Sequence, residues 1–249
     1  MRKDHIPVPG TGVLMKVINK AAQVVSDLID FMFILFFLLV MALGIYMVYD
    51  IHMVYKAADN DALLKFKPGN ERHEEEDKRL LDAYVAWLSV EGSSIEFPVM
   101  QGSDNDEFLN KNPFGEYSLA GSIFLDCRND ARFGDEYSVL YGHHMSGDAM
   151  FGKLDAYLDA GYLETHAYGT LTETDGTEHP FRLFAVVDSD ATEPVIFELG
   201  YAGNEDIRKY ARKHAIYYID VPETGRLVAL TTCKFPNTTQ RTVLLGMFT

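Results

Sequence analysis

The stretch Val228-Ala229-Leu230-Thr231-Thr232-Cys233 is followed, eight residues after the cysteine, by Arg241. Its apolar and β-branched residues predict a buried or half-buried strand from Arg226 to Thr232 that ends at the thiol. The residues from Lys234 to Gln240 include proline and asparagine and predict a loop, after which a second strand runs from Arg241 to Phe248. A nucleophile and a positive charge would then face one site.

Composition narrows the class of protein. The chain has 249 residues, 47% of them hydrophobic, and a formal net charge of −15. Such an acidic chain argues against nucleic acid as a partner and against flat docking on an anionic membrane surface. Its two cysteines, Cys127 and Cys233, are too few for a secreted disulfide scaffold. One bridge between them remains an alternative to a catalytic role for Cys233.

An uncharged run of 19 residues, Phe31 to Tyr49, predicts a membrane-spanning helix. It is long enough to cross a hydrocarbon core of about 30 Å, whereas a signal peptide has a shorter apolar region. We assign residues 28–50 to the anchor and residues 51–72 to a stalk. Lysine and arginine are enriched before the run, which places residues 1–27 in the cytoplasm and the domain of residues 73–249 outside the cell.

The remaining sequence predicts a mostly β fold, a barrel with helices at its edge. An amphipathic pattern first predicts a helix from His73 to Val90. Besides the two strands described above, we predict strands at Phe97–Gln101, Ser122–Leu125, Tyr137–Tyr141, Tyr168–Thr174 and Phe181–Asp188. Short helices are predicted at Asp104–Asn110, Ala149–Ala160 and Gly203–His214.

His143 is the candidate partner of Cys233, because it lies just past a predicted strand that ends before Gly142. A cysteine nucleophile reacts as the thiolate, which a nearby imidazolium or guanidinium stabilises. Arg241 could also stabilise an oxyanion. From the residues alone, a buried thiol with a surface histidine and arginine remains an alternative. His143 and His144 are sequence neighbours, and HxH, HExxH, CxxC and phosphate-binding glycine motifs are absent from the sequence, so we predict no metal and no cofactor.

Several motifs, in order, resemble those of the class B sortases. The sortase signature Thr-Leu-x-Thr-Cys followed by arginine stands here as Ala229-Leu230-Thr231-Thr232-Cys233 with Arg241, so alanine replaces the usual first threonine. The histidine motif Tyr141-Gly142-His143-His144-Met145 is similar. So are Gly121-Ser122-Ile123-Phe124-Leu125-Asp126 with Arg128-Asn129, and Met150-Phe151-Gly152 before a helix. The resemblance extends from about residue 75 to the C-terminus.

This resemblance implies an eight-stranded sortase-type barrel with peripheral helices, one strand more than the seven we identify. It implies a membrane-anchored cysteine transpeptidase of Gram-positive bacteria, in which Cys233 is the nucleophile, His143 the acid and base, and Arg241 the oxyanion ligand. The implied partners are surface proteins with a C-terminal sorting signal of the Asn/Ser-Pro-x-Thr type. The acceptor would be an amine of a lipid-linked peptidoglycan precursor or of a pilin. A hydrolytic cysteine peptidase or a non-catalytic binding protein on the same fold remains an alternative.

The resemblance also suggests residues that contact the substrate. These are Asn105, Leu109, Tyr141, Thr231, Val195 and Ile196, and the alternative for each is core packing. The chain departs from the family in a short loop between Cys233 and Arg241, and in a cysteine at position 127 where an aromatic residue is common. The first departure leaves the substrate preference open.

Overall fold

A computed structural model describes residues 11–58, 63–68, 82–146, 149–233 and 239–249. The chain divides into two compact units, with the boundary between Met53 and Val54. Helix α1, Thr11–Ala58, extends through all of the described part of the first unit. Residues 12–56 are long and apolar enough to cross a membrane, and they are a candidate span by length and composition. The predicted anchor, residues 28–50, is therefore the central part of a longer helix.

The second unit is built mainly from strands. They are β1 (Tyr84–Val90), β2 (Glu96–Met100), β3 (Ile123–Leu125), β4 (Tyr137–Gly142), β5 (His144–Met145), β6 (Ala149–Met150), β7 (Tyr168–Glu173), β8 (Glu178–Asp190), β9 (Ala215–Tyr218), β10 (Leu227–Cys233) and β11 (Gln240–Phe248). The α-helices are α2 (Ala160–Thr165), α3 (Pro194–Phe197) and α4 (Asn204–His214), and three 3-10 helices span Leu64–Phe66, Glu107–Leu109 and Phe151–Leu158.

Eight strands close into a barrel, which confirms the predicted fold. The strands follow the order β11-β10-β4-β3-β2-β1-β7-β8, and β8 pairs with β11 to close the ring. Strand β9 pairs with the C-terminal half of β8, while β5 and β6 form a separate two-stranded hairpin. Most neighbours are antiparallel, but β10 is parallel to β4 and β2 is parallel to β3.

The sequence of β10 shows how the barrel is filled. Leu227, Val228, Ala229 and Leu230 are all fully buried, although successive residues of a strand point to opposite faces. Val228 and Leu230 belong to the main core cluster of the barrel. Leu227 and Ala229 belong to a second cluster that includes Ile207 of helix α4. Because both faces are covered, this strand is almost continuously apolar rather than alternating.

The helix predicted from His73 to Val90 is wrong for its second half. Tyr84–Val90 is strand β1, which pairs with β2 and β7. It is the barrel strand that is missing from the seven we predict. Ala86, Leu88 and Val90 face the main core, and Trp87 on the other face is also buried. Apolar residues on both faces imitate a helical stripe, which explains the error. The first half of the prediction, residues 73–81, lies outside the described residues.

The other differences are smaller. Only Glu107–Leu109 is helical within the predicted helix Asp104–Asn110. The helix predicted at Ala149–Ala160 begins as strand β6 and continues as the 3-10 helix Phe151–Leu158. Helix α4 matches the prediction for Gly203–His214 to within one residue. Strand β9 has no counterpart among the predicted elements.

Candidate active site

Backbone register brings the three candidate catalytic residues to one rim of the barrel. In the parallel pair of β10 and β4, Thr232 is the partner of Gly142. Cys233 and His143 directly follow these two residues, so they leave neighbouring strands, about 4.8 Å apart, at the same edge. In the antiparallel pair of β10 and β11, Cys233 is the partner of Arg241. His143, which is 90 residues before Cys233 in sequence, therefore comes close to Cys233 and Arg241 at the end of β10.

A cavity of about 370 Å³, called the main cavity below, opens at this rim. His143, Arg241, Thr231 and Thr232 all line it. Its other lining residues are Asn105, Asp106, Leu109, Phe124, Arg128, Tyr141, Gly142, Ala191 and Phe197. Four of the six predicted substrate contacts are therefore in this set. Sequence reasoning included Phe124 and Arg128 in a motif without assigning them a contact with the substrate, and it did not identify Phe197.

The other two predicted contacts lie elsewhere. Ile196 is fully buried and packs in the core cluster beneath helix α4. Val195 lines a separate cavity of about 510 Å³, which shares Arg128 with the main cavity. Both residues belong to α3, and the residue of that helix that lines the main cavity is Phe197. A helix of four residues can present only part of its surface to the cavity.

A backbone carbonyl holds His143 in place. Its Nε2 lies 2.7 Å from the carbonyl oxygen of Leu109, and a carbonyl can only accept, so Nε2–H is the donor. The backbone N–H of Phe151 donates to the His143 carbonyl at 3.0 Å. The next residue, His144, instead pairs with Asp155 at 2.7 Å. Of the two adjacent histidines, His143 is the one that lines the main cavity.

Asp126 forms a hydrogen-bond network behind the main cavity. This fully buried carboxylate accepts from Arg128 Nε at 2.9 Å and Nη2 at 2.8 Å. It also accepts from Asn105 Nδ2 at 2.9 Å, from the Tyr141 hydroxyl at 3.0 Å and from the Arg128 backbone N–H at 3.0 Å. The signal in the sequence is a charged residue directly after the apolar strand Ile123–Leu125, within a motif that resembles the family.

The charges in this network stabilise each other. Burial alone would raise the pKa of Asp126, but hydrogen bonds from Arg128 and Asn105 outweigh it and lower that pKa from its ordinary value of 3.8. The hydrogen bond to Asp126 raises the pKa of the Arg128 guanidinium. Burial raises the pKa of Tyr141, so its hydroxyl stays a neutral donor. Asp126 is therefore an anion at neutral pH, surrounded by donors.

The Thr231 hydroxyl and Cys127 also belong to the surroundings of the site. The Thr231 hydroxyl is buried, and among the described residues it has no hydrogen-bond partner. Cys127 is a free cysteine with a half-buried side chain, and its backbone N–H donates to Asn105 Oδ1 at 2.8 Å. Most of the short loop, residues 234–238, lies outside the described residues.

Comparisons with known proteins identify a family and several relatives of this chain. The family model named Sortase domain matches residues 88–248. Sortase B of Listeria monocytogenes is 34% identical over 155 residues, which cover 60% of this chain and 62% of that relative. A class B sortase of Streptococcus pyogenes involved in pilus biogenesis superimposes with a TM-score of 0.65 at 30% identity, covering 71% of this chain and 98% of that one. Clostridium perfringens sortase B gives a TM-score of 0.62 at 29% identity, covering 71% of this chain and all of that one.

Proposed function

Because the chain belongs to the sortase family, we propose that it is a membrane-anchored cysteine transpeptidase that joins secreted proteins to an amine. The observation that carries this proposal is the meeting of His143 and Arg241 in one cavity at the strand end that bears Cys233. A nucleophile, an acid and base, and an oxyanion ligand are the groups that acyl transfer requires.

The proposed reaction has two halves. The Cys233 thiolate attacks the carbonyl carbon of the scissile peptide bond, and Arg241 stabilises the oxyanion of the tetrahedral intermediate. The C–N bond then breaks, and the leaving amine takes a proton from the His143 imidazolium. In the second half, an incoming amine loses a proton to neutral His143 and attacks the thioester. The C–S bond breaks, which restores the thiolate and completes the new amide.

The carbonyl of Leu109 supports this role of His143. It accepts a hydrogen bond from Nε2–H and so fixes the orientation of the imidazole ring. Because Nε2 is engaged, the exchangeable proton in the proposed reaction is the one on Nδ1. The histidine can then take up and release a proton without losing the hydrogen bond that orients its ring.

The proposed substrate is the sorting signal of a secreted protein, of the Asn/Ser-Pro-x-Thr type, cleaved after threonine. The main cavity offers the apolar side chains of Leu109, Phe124 and Phe197 to such a peptide. The Thr231 hydroxyl, which has no hydrogen-bond partner within the described part of the chain, offers it a hydrogen bond. We place the substrate contacts at Asn105, Leu109, Tyr141 and Thr231, and add Phe197 in place of Val195 and Ile196.

The acceptor defines a second candidate function. We propose an amine of the lipid-linked peptidoglycan precursor, which would anchor the substrate in the cell wall. A pilin lysine is the alternative, since one of the structural relatives, at 30% identity, is a class B sortase involved in pilus biogenesis. In both cases the apolar helix within residues 12–56 anchors the chain in the membrane once, with the N-terminus in the cytoplasm and the barrel outside.

The test is turnover of peptides by the full chain in detergent solution, with candidate amines added. We expect Cys233→Ala to abolish cleavage of a sorting-motif peptide. His143→Ala and Arg241→Ala should each lower kcat/KM at least about 100-fold, because each removes a group that acts in the transition state. Cys127→Ser is the matched control and should keep activity. Turnover that survives in Cys233→Ala would contradict the proposal, and transfer to water alone would indicate a hydrolase.

A further inference from the structure

Asp126 is too deeply buried to touch a substrate, yet its partners surround the main cavity. The carboxylate is fully enclosed. Asn105 and Tyr141 both line the cavity, and each of them donates a hydrogen bond to Asp126 Oδ2. Asn105 belongs to the segment that precedes the 3-10 helix Glu107–Leu109, while Tyr141 belongs to β4. One buried carboxylate thus fixes side chains from two separate elements.

Arg128 extends the same network to the opposite wall. Its guanidinium makes two hydrogen bonds to Asp126, and its Nη2 also donates to the carbonyl oxygen of Phe197 at 3.1 Å. Phe197 ends helix α3 and lines the main cavity. The hydrogen bonds from Asp126 through Arg128 to Phe197 therefore connect the buried carboxylate to the part of the cavity formed by the helix that follows β8.

We propose that Asp126 is the positioning residue of the peptide-binding cavity, and that its carboxylate sets the distance between the two walls that grip the sorting motif. This inference rests on the proposed function. It assigns Asp126 to substrate binding and not to the chemistry at Cys233, because its contacts run to the cavity walls. His143 contacts the same side of the cavity through the carbonyl of Leu109, four residues after Asn105.

The substitution Asp126→Asn tests this positioning role, because it removes the charge with little change in the shape of the side chain. An asparagine amide keeps one acceptor oxygen but presents donors where Arg128, Asn105 or Tyr141 already donates. At least one of these contacts must break, and a wall residue is released. A wall residue that moves loses contact with the bound peptide, and losing a contact made equally in the ground state and the transition state raises KM without lowering kcat.

The experiment measures KM and kcat for a sorting-motif peptide with the full chain in detergent solution. It also measures the rate at which iodoacetamide alkylates Cys233, followed by mass spectrometry of the peptide that contains that residue. Iodoacetamide is small and needs neither wall. We expect Asp126→Asn to raise KM roughly tenfold, with kcat and the alkylation rate within about twofold of the wild type. A merely structural role would instead lower kcat and alkylation together, as the folded fraction falls.

Two further variants keep the test decisive. Arg128→Gln should raise KM to a similar extent, and the double variant Asp126→Asn with Arg128→Gln should be no worse than the weaker-binding single variant. If Asp126→Asn does not fold, Arg128→Gln replaces it, and an unchanged KM in that variant overturns the positioning role. Asp175→Asn is the matched control, because that exposed carboxylate also pairs with an arginine, Arg132, but does not line the main cavity.

The outcomes separate this inference from the proposed function. If the wild type cleaves no sorting-motif peptide, the proposed function fails. If the wild type turns over and Asp126→Asn keeps the wild-type KM, the positioning role of Asp126 is overturned. Additive effects in the double variant would also overturn it, since they would show that Arg128 binds substrate independently of Asp126.

Discussion

A single residue, Gly142, determines where His143 lies. A Cβ atom at this position would collide with the Ile123 side chain and would lie 2.7 Å from Cδ2 of Phe151, and both neighbours are almost fully buried. Phe151 is also the residue whose N–H donates to the His143 carbonyl. A side chain at position 142 would therefore displace the contact that holds the histidine.

We expect Gly142→Ala to lower the free energy of unfolding by about 1–3 kcal/mol, the usual cost of overpacking. It should also lower kcat, because His143 moves with the strand end. Thermal denaturation and peptide turnover measure the two effects. Gly161→Ala is the control, since the added Cβ there meets Asp159 only at an ordinary 3.6 Å. Wild-type stability and turnover in Gly142→Ala would show that the barrel has room here.

At the scale of elements, β10 and β1 show what sequence reasoning can and cannot recover. Strand β10 was predictable because a run of apolar and β-branched residues ends at a polar, reactive one. Strand β1 was not, because Trp87 is buried on its outer face and donates to Glu96 at 2.7 Å, so both faces carry large apolar residues. Periodicity cannot separate a strand covered on both sides from a short buried helix.

The candidate site also has features that the sequence predicts and features that follow only from the fold. The sequence placed Cys233, His143 and Arg241 at strand ends, and the parallel register of β10 with β4 could not be known from it. Asp126 lies within a motif that resembles the family, but its role depends on partners 2 to 21 residues away in sequence. Contacts of Arg128 with Phe197, 69 residues further on, follow only from the fold.

Asp190 links the end of β8 to the residue before β11, and it makes that link dependent on pH. Its carboxylate accepts from the Thr192 backbone N–H and hydroxyl and from the Thr239 hydroxyl. Hydrogen bonds from Thr192 and Thr239 lower its pKa from 3.8 to about 2. Because the pKa is lower in the folded state, this contribution to stability is complete above pH 3.8. It is lost as the pH falls toward 2.

We therefore expect Asp190→Asn to have a lower Tm than the wild type at pH 5, with the difference shrinking as the pH falls below 3.8 and disappearing below about pH 2. Thermal denaturation across this range measures it. Thr239→Val keeps the carboxylate and removes one donor, so it should show a smaller difference with the same direction of pH dependence. A Tm difference that stays constant from pH 5 to pH 2 would contradict this account of Asp190.

At the scale of the whole molecule, residues that the sequence analysis assigns to a stalk pack against the barrel domain. The 3-10 helix Leu64–Phe66 lies in the predicted stalk of residues 51–72, yet Phe66 is buried and its ring packs, tilted, against Phe114 at 5.6 Å between centroids. Lys67 Nζ pairs with Glu96 Oε1 of strand β2 at 2.9 Å. This part of the linker is therefore packed against the domain, and the compact unit begins at Val54.

A chain that begins at Val54 should consequently be more stable than one that begins at Gly69. The shorter chain loses the burial of Phe66, and removing a buried phenylalanine costs about 3 kcal/mol. Urea denaturation of the two chains measures the difference. Phe66→Ala in the longer chain should reproduce most of it, whereas Lys67→Ala should cost less than about 1 kcal/mol, since the pair with Glu96 is partly exposed. Equal stability of the two chains would mean that the barrel is complete without Phe66. In that case, residues 63–68 would act only as a tether between the apolar helix and the barrel.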